Sequence, residues 1–312
     1  MTTFTTLPGT PLERFTIFTA LGIRFWDFAL DVPVTNGLEV SARLAGTQYP
    51  PLPAVRTGSG VMAFQGLPGL RDVEYPLTSG NSPASSPPRV LSYVISVADT
   101  LRRYLPSLFS VDLPLPYRGL FLSNSIGSPD DADARAYLFS APTRTVSVGM
   151  AAVRTTVWDA DADRPAAHAA LRVTIDGRVY TGIADEEGRA LVAFPSPLVR
   201  RLTMGSPPGS GQGSPSGMTW PVTVQALYQP GQLRFPLQAT PDAAWPWNIT
   251  PSLKSILDAQ QPALIWQTQA GPPVPQWTGN LTYSVELLLR TVLTNPSALS
   301  AVLLISQKTT SP

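Results

Sequence analysis

The stretch 174-TIDGRVYTGIADEEGRALVAF-194 carries two turn signals between short apolar runs, and its reading decides the fold. The first signal is Asp176-Gly177 and the second is Asp185-Glu186-Glu187-Gly188. Asp and Gly tolerate the positive φ that tight connections demand, so each signal predicts a reversal between antiparallel strands. A two-residue Asp176-Gly177 turn sets Ile175 opposite Arg178, mixing apolar and charged side chains on one face. A three-residue loop, Ile175-Asp176-Gly177, instead pairs Thr174 with Arg178, Val173 with Val179, Leu171 with Thr181 and Ala169 with Ile183. A slip of one residue turns every side chain to the other face. The register that separates the faces, the three-residue loop, is therefore expected. Asp185 opens a type I turn that Gly188 closes, which makes the acidic cluster turn chemistry before it is a site.

Similar runs recur in both directions from this stretch, among them GLEVSARLA, RVLSYVISVAD, VSVGMAAVRTTVWD, WPVTVQALY and LTYSVELLLRTV. The 34 prolines and 23 glycines fit short strands with frequent breaks. The expected fold is mainly β, as two β-sandwich domains of residues 1–140 and 141–312, the second with a Gly/Ser/Pro loop at 205–217. Asn36-Gly37 predicts a hairpin between FALDVPVT and LEVSARL, with Leu38, Val40, Ala42 and Leu44 on the buried face of its second strand. Tyr283, Val285, Leu287 and Leu289 alternate in the same way, and Leu288 suggests cover on both sides. Residues 47–60, 78–88 and 204–217 read as linkers or long loops, and 123–135 as a loop before the domain boundary near Ser140. One short helix is expected near 251–260, capped by Thr250 with Pro251 at its first position and Leu253, Ile256 and Leu257 as its apolar stripe, closing a sandwich end.

Composition excludes several classes of function. Over 312 residues the formal net charge is +1, which gives no field to draw the chain to phosphate backbones or anionic lipid. Neither nucleic acid nor membrane insertion is expected. With no cysteine, a thiol nucleophile, a disulfide framework and a thiolate zinc site are all ruled out. The N-terminal run MTTFTTLPGTPLERFTIF lacks a basic segment followed by a continuous apolar one, so no signal peptide is expected, and no apolar run reaches the roughly 20 residues of a transmembrane helix.

His168, in PAAHAAL, is the one histidine, which excludes two-histidine zinc motifs and leaves at most one Ser-His-acid triad, with no G-x-S-x-G elbow to seat its serine. The expected role of His168 is structural, beside a turn. Asp159, Asp161 and Asp163 stand at calcium-loop spacing, but Arg164 occupies the position that needs glycine and Ala170 the position of the bidentate glutamate. A solvated loop between strands accounts for them equally well. GSGQGSPSG has the glycines of a phosphate cradle without the helix or the lysine. Trp245, Trp247, Trp266 and Trp277 form either a platform for sugars or a protein partner, or part of the core; the core reading is preferred. No catalytic residue, cofactor or metal ligand is assigned, and the chain is expected not to be an enzyme.

Two resemblances add to this. Val157 and Asp159 in VWDADADRP, Pro165 in the following turn, the strand Ala169-Ala170-Leu171-Arg172-Val173 and the turn Asp185-Glu186-Glu187-Gly188 resemble the carboxypeptidase-regulatory, transthyretin-like group of Ig-like sandwiches, with Ala184 where those modules usually carry threonine. This implies a fold and no activity. The whole chain, through FWDFALDVPVTNGLEVSA, GLPGLRDVEYP, YLPSLFSVDLP and LFSAPTR, resembles structural proteins encoded with bacterial contractile injection systems, which are phage-tail-like particles. That resemblance implies a non-enzymatic structural or assembly subunit whose partners are other protein subunits, in a homo-oligomeric or mixed assembly. It implies assembly in the cytoplasm and release as an extracellular particle. The alternative is a carbohydrate- or surface-binding module resting on the tryptophans.

Overall fold

The computed structural model describes residues 19–70, 90–113, 120–121, 136–197, 218–238, 240, 243–294 and 298–307. The expected loops at 78–88, 123–135 and 205–217 and the N-terminal run read for export lie outside these residues or largely so. Among the described residues the protein is mainly β with one short α-helix.

In the N-terminal half, β1 (Leu21–Ile23), β2 (Phe25–Asp27), β3 (Val32–Val34), β4 (Leu38–Leu44), β5 (Leu52–Pro53), β6 (Val55–Arg56) and β7 (Met62–Phe64) precede the long β8 (Leu91–Asp99). β9 (Ser107–Leu113), β10 (Leu120–Phe121) and β11 (Ala136–Leu138) follow. They pair in three small sheets, β10-β1-β7-β6, β11-β2-β3 and β5-β4-β8-β9. Phe25, Phe64, Tyr93 and Ile95 are among the side chains that meet between these sheets and are excluded from solvent.

The C-terminal half holds β12 (Met150–Asp159), β13 (Arg164–Pro165), β14 (Ala170–Ile175), β15 (Arg178–Ile183), β16 (Arg189–Pro195) and β17 (Thr219–Leu227). Helix α1 (Leu253–Asp258), β18 (Pro262–Ile265), β19 (Trp277–Thr282), β20 (Leu287–Leu288) and β21 (Leu303–Ser306) complete it. Ten strands join in one hydrogen-bonded system. β12 is shared between its layers: residues 150–156 pair with β16, and residues 157–159 pair in parallel with β21. The enclosed core runs from Ala151 to Ile305, and Ser140 falls between it and the N-terminal core.

Residues 174–194 fold as consecutive antiparallel strands, but in the two-residue-turn register and not the three-residue one. Ile175 pairs with Arg178, Val173 with Tyr180 and Ala170 with Ile183, across a two-residue turn in which Asp176 (φ 48°) and Gly177 (φ 74°) are both left-handed. This is the type I′ turn, whose twist matches that of the strands. Leu171, Val173 and Ile175 are buried in either register, since their face is set by pairing with β17. What decides is β15. In the observed register Tyr180 turns inward and stacks on Phe194, with ring centroids 4.6 Å apart, while Val179 is left 55% exposed. Burying an aromatic ring outweighs burying one valine, and Arg178 lies exposed at the strand end.

Four other expectations are corrected. Asn36-Gly37 does not close a hairpin: β3 pairs with β2, β4 pairs with β8 and β5, and the dipeptide bridges two sheets, with Gly37 O accepting from Thr100 N at 2.8 Å. Residues 47–60 are more than a loop, since β5 and β6 pair with β4 and β7 there. Helix α1 has Ser252 as its N-cap; Pro251 stands outside, and Thr250 Oγ1 donates to Pro246 O instead of capping. Pro251 cannot enter the helix because residue 252 is extended and bridges to Leu108. The run 281-LTYSVELLLRTV-292 is not one strand. β19 ends at Thr282, Ser284 takes φ 58°, Val285 is exposed, and the chain crosses to pair Leu287 with Val153.

Candidate functional site

The chemistry of the molecule concentrates where its two cores meet. β2 ends in Asp27, which is 1% exposed. Its Oδ1 accepts the backbone N–H groups of Ala29 (2.8 Å) and Leu30 (3.3 Å), shaping the β2–β3 turn. A buried carboxylate needs a counter-charge as well as hydrogen bonds. Arg144 supplies it from 117 residues away, donating Nη1 to Oδ1 at 3.1 Å and Nη2 to Oδ2 at 2.5 Å. Tyr104 donates its hydroxyl to Oδ2 at 2.9 Å, and the Arg144 guanidinium lies 5.1 Å from the Tyr104 ring centroid. Burial, and then the negative charge of Asp27, push the Tyr104 hydroxyl above its ordinary range, so it remains a donor.

Arg144 sits in the segment that joins the halves, and that segment is held from both sides. From the N-terminal side, Arg103 O accepts Ala141 N at 2.8 Å and Arg102 O accepts Thr143 Oγ1 at 3.2 Å. From β12, Arg154 donates Nη2 to Arg144 O at 2.8 Å and Nη1 to Pro142 O, and its Nε pairs with Glu286 at 2.9 Å. Phe139, Ala170, Ile183, Leu227, Leu253 and Ile256 form an apolar cluster across the same junction. α1 therefore packs between the halves.

Beside this clamp lies a cleft with Leu105, Ser107 and Phe139 on one wall, Ile183 to Glu186 on another, and Pro251, Leu253 and Ile256 from the α1 region. Its free volume is about 50 Å³, room for about four waters or one side-chain tip. His168 lines it at a left-handed turn position (φ 60°). Burial lowers its pKa to about 4, against the opposing effects of a hydrogen bond with the Ile249 backbone and the nearby Asp185, so the ring is neutral at pH 7. Ser107 directs its hydroxyl to Leu105 O at 3.3 Å. Glu186 makes no hydrogen bond or salt bridge among the described residues. Burial, then the charges of Glu187 and Asp185, raise its pKa, with Arg189 opposing them.

The residues singled out in the sequence lie apart from one another. Asp159 is buried and accepts Asp161 N and Ala162 N at 3.0 and 3.2 Å; Asp161 accepts Ser306 Oγ at 2.7 Å; Asp163 accepts Trp158 Nε1 at 3.1 Å. The carboxylates thus secure three different parts of one turn, and among the described residues no group of three potential ligands could hold a metal ion. Asp185 caps its own turn, accepting Glu187 N at 3.1 Å and Arg189 N at 2.8 Å. Trp277 packs on the C-terminal core and Trp247 on Val94, Leu108 and Leu237; Trp266 is half-buried and Trp245 is 70% exposed. Asp27 and Arg144 went unmarked in the sequence because partners so distant leave no local spacing.

No protein-family model matches the chain, and no curated protein sequence matches it. Among solved structures, it is similar to the Bacillus anthracis TIE protein at 8% identity and a TM-score of 0.22, covering 92% of this chain and 34% of that one. The shaft pilin SpaA from Lactobacillus rhamnosus GG is 10% identical, with 95% of this chain and 100% of that chain covered and a TM-score of 0.22. An adhesin described as putative from Bacteroides ovatus is 11% identical, with 86% and 96% covered and a TM-score of 0.21. The chain thus spans about a third of the TIE protein. Likeness at this level carries no functional argument, and the mainly β assignment stands on the strand pairing described above.

Proposed function

We propose that this chain is a non-enzymatic structural or assembly subunit of a phage-tail-like contractile injection particle, acting through protein–protein contacts. The observation that supports a structural role is the clamp at the junction: a buried carboxylate and guanidinium, joined by hydrogen bonds from both halves, hold two β cores as one unit. A subunit that passes contacts from one neighbour to the next needs its parts held in fixed relation. Val32 and Val179 are exposed on the edge strands β3 and β15, where unpaired backbone groups can extend a neighbour's sheet. The particle itself is suggested by the sequence resemblance. Particles purified from the native host with a tagged copy should contain this chain at fixed stoichiometry, seen by mass spectrometry and electron microscopy. Its absence from such particles would overturn the proposal.

Trp245 favours a second reading, a carbohydrate- or surface-binding module. It projects from a compact turn in which Trp247 N and Asn248 N both donate to Ala244 O and Ile249 N to Pro246 O. Aromatic faces so presented stack on sugar rings. Glycan-array binding that is lost in Trp245→Ala would support this reading, and an array without signal would remove it.

A further inference from the structure

We propose that a groove beside β12 is a binding site for a small oxyanion, a phosphate or carboxylate group. It lies where one edge of β12 changes partners. β20 pairs with Val153 and Arg154, and β21 pairs from Val157 onward, so neither strand pairs with Thr155 or Thr156. On the other edge, toward β16, Val157 N donates to Gly188 O at 2.7 Å. Successive N–H groups of a strand point to opposite edges, which turns the Thr156 N–H into the gap. The acceptor that a continued ladder would bring there, Leu289 O, is taken by Thr155 Oγ1 at 2.9 Å. The Thr156 amide and hydroxyl are left with no hydrogen-bond partner among the described residues.

Arg154, Arg189 and Arg290 line the groove, and no acidic side chain among the described residues does. Thr156 stands opposite Arg189, and Arg154, two residues back, shares its face of the sheet. Arg154 is a fixed positive wall, with Nε on Glu286 and both Nη groups on the carbonyls of Pro142 and Arg144. Asp185 and Glu187 hold Arg189 through Nε and Nη2, which leaves its Nη1 without a partner among the described residues. Arg290 follows β20, across the gap from β16, and makes no hydrogen bond or ion pair among the described residues. A backbone N–H, a hydroxyl and two guanidinium edges around one space are complementary to an oxyanion, whose hydrogen bonds they strengthen by charge. The free volume, about 210 Å³, admits such a group and falls below the roughly 300–1,000 Å³ of sites for drug-sized ligands. The site belongs to the C-terminal half and does not depend on the chain's place in a particle.

The test titrates the full chain with inorganic phosphate and, separately, with acetate at constant ionic strength, followed by amide chemical shifts. Saturable shifts centred on Thr156, Arg189 and Arg290 are expected. Tighter binding of phosphate assigns the free ion, and acetate binding as tight or tighter assigns a carboxylate side chain. Arg290→Gln and Thr156→Val should each weaken binding about tenfold, the scale of one hydrogen bond to a charged group, and Thr156→Ser should retain it. Arg290 is exposed, so Arg290→Gln should leave the unfolding midpoint unchanged and report on binding alone. No saturable shift with either ion, shifts no larger at Thr156 than at the exposed Arg56 and Arg178, or equal affinity in Arg290→Gln would overturn the inference.

Discussion

Gly188 closes the second turn of the 174–194 stretch with φ 77°, and a Cβ there would stand 2.3 Å from Val157 O. Backbone strain and a clash with backbone act together, so Gly188→Ala should destabilise the protein by about 2–4 kcal/mol, read from urea denaturation. The aspartate and glycine of this turn were legible in the sequence because turn chemistry is local. The clamp was not. Asp27 and Arg144 stand 117 residues apart, and only folding brings them within 2.5 Å. Arg144→Met leaves Asp27 buried without a counter-charge and should cost about 3–5 kcal/mol, whereas Asp27→Asn with Arg144→Met should recover part of that loss. A loss in the double variant equal to the sum of the losses in Arg144→Met and Asp27→Asn alone would show that the pair is not coupled.

At the scale of elements, apolar alternation predicted strands well where both ends were marked by turn residues, as in β4, β14 and β16. It erred where two registers were nearly balanced. In β15 the choice between Val179 and Tyr180 depended on Phe194, on another strand, whose ring the sequence could not place opposite. It erred also after β19, where a left-handed residue, Ser284, ends a run whose alternation continues. The aromatic turn at 243–249 divides its tryptophans between two environments. Trp247→Ala should cost about 1–3 kcal/mol, because that ring packs on Val94 and Leu237, while Trp245→Ala should stay within about 0.5 kcal/mol. Thermal unfolding of the two variants checks the contrast.

Across the whole molecule, the junction ties stability to pH through His168. Its pKa is 6.5 when unfolded and about 4 when folded, so between these values the unfolded chain binds more protons and folding weakens as pH falls. Stability that is complete above pH 6.5 should decline toward pH 4, and His168→Gln should flatten that part of the profile of denaturation midpoint against pH. An unchanged slope in the variant would place the acid sensitivity elsewhere. The mainly β architecture was legible because it is written in short repeated patterns; the joining of the halves was not, because a clamp, an apolar cluster and a cleft are each assembled from residues scattered along the chain. The parallel pairing of β12 with β21 has a mechanical consequence. Because the strands run side by side in the same direction, a pull between residue 150 and residue 306 slides one along the other. Their hydrogen bonds then share the load and must yield together, instead of opening one by one like a zip, which suits the C-terminal half to bearing tension.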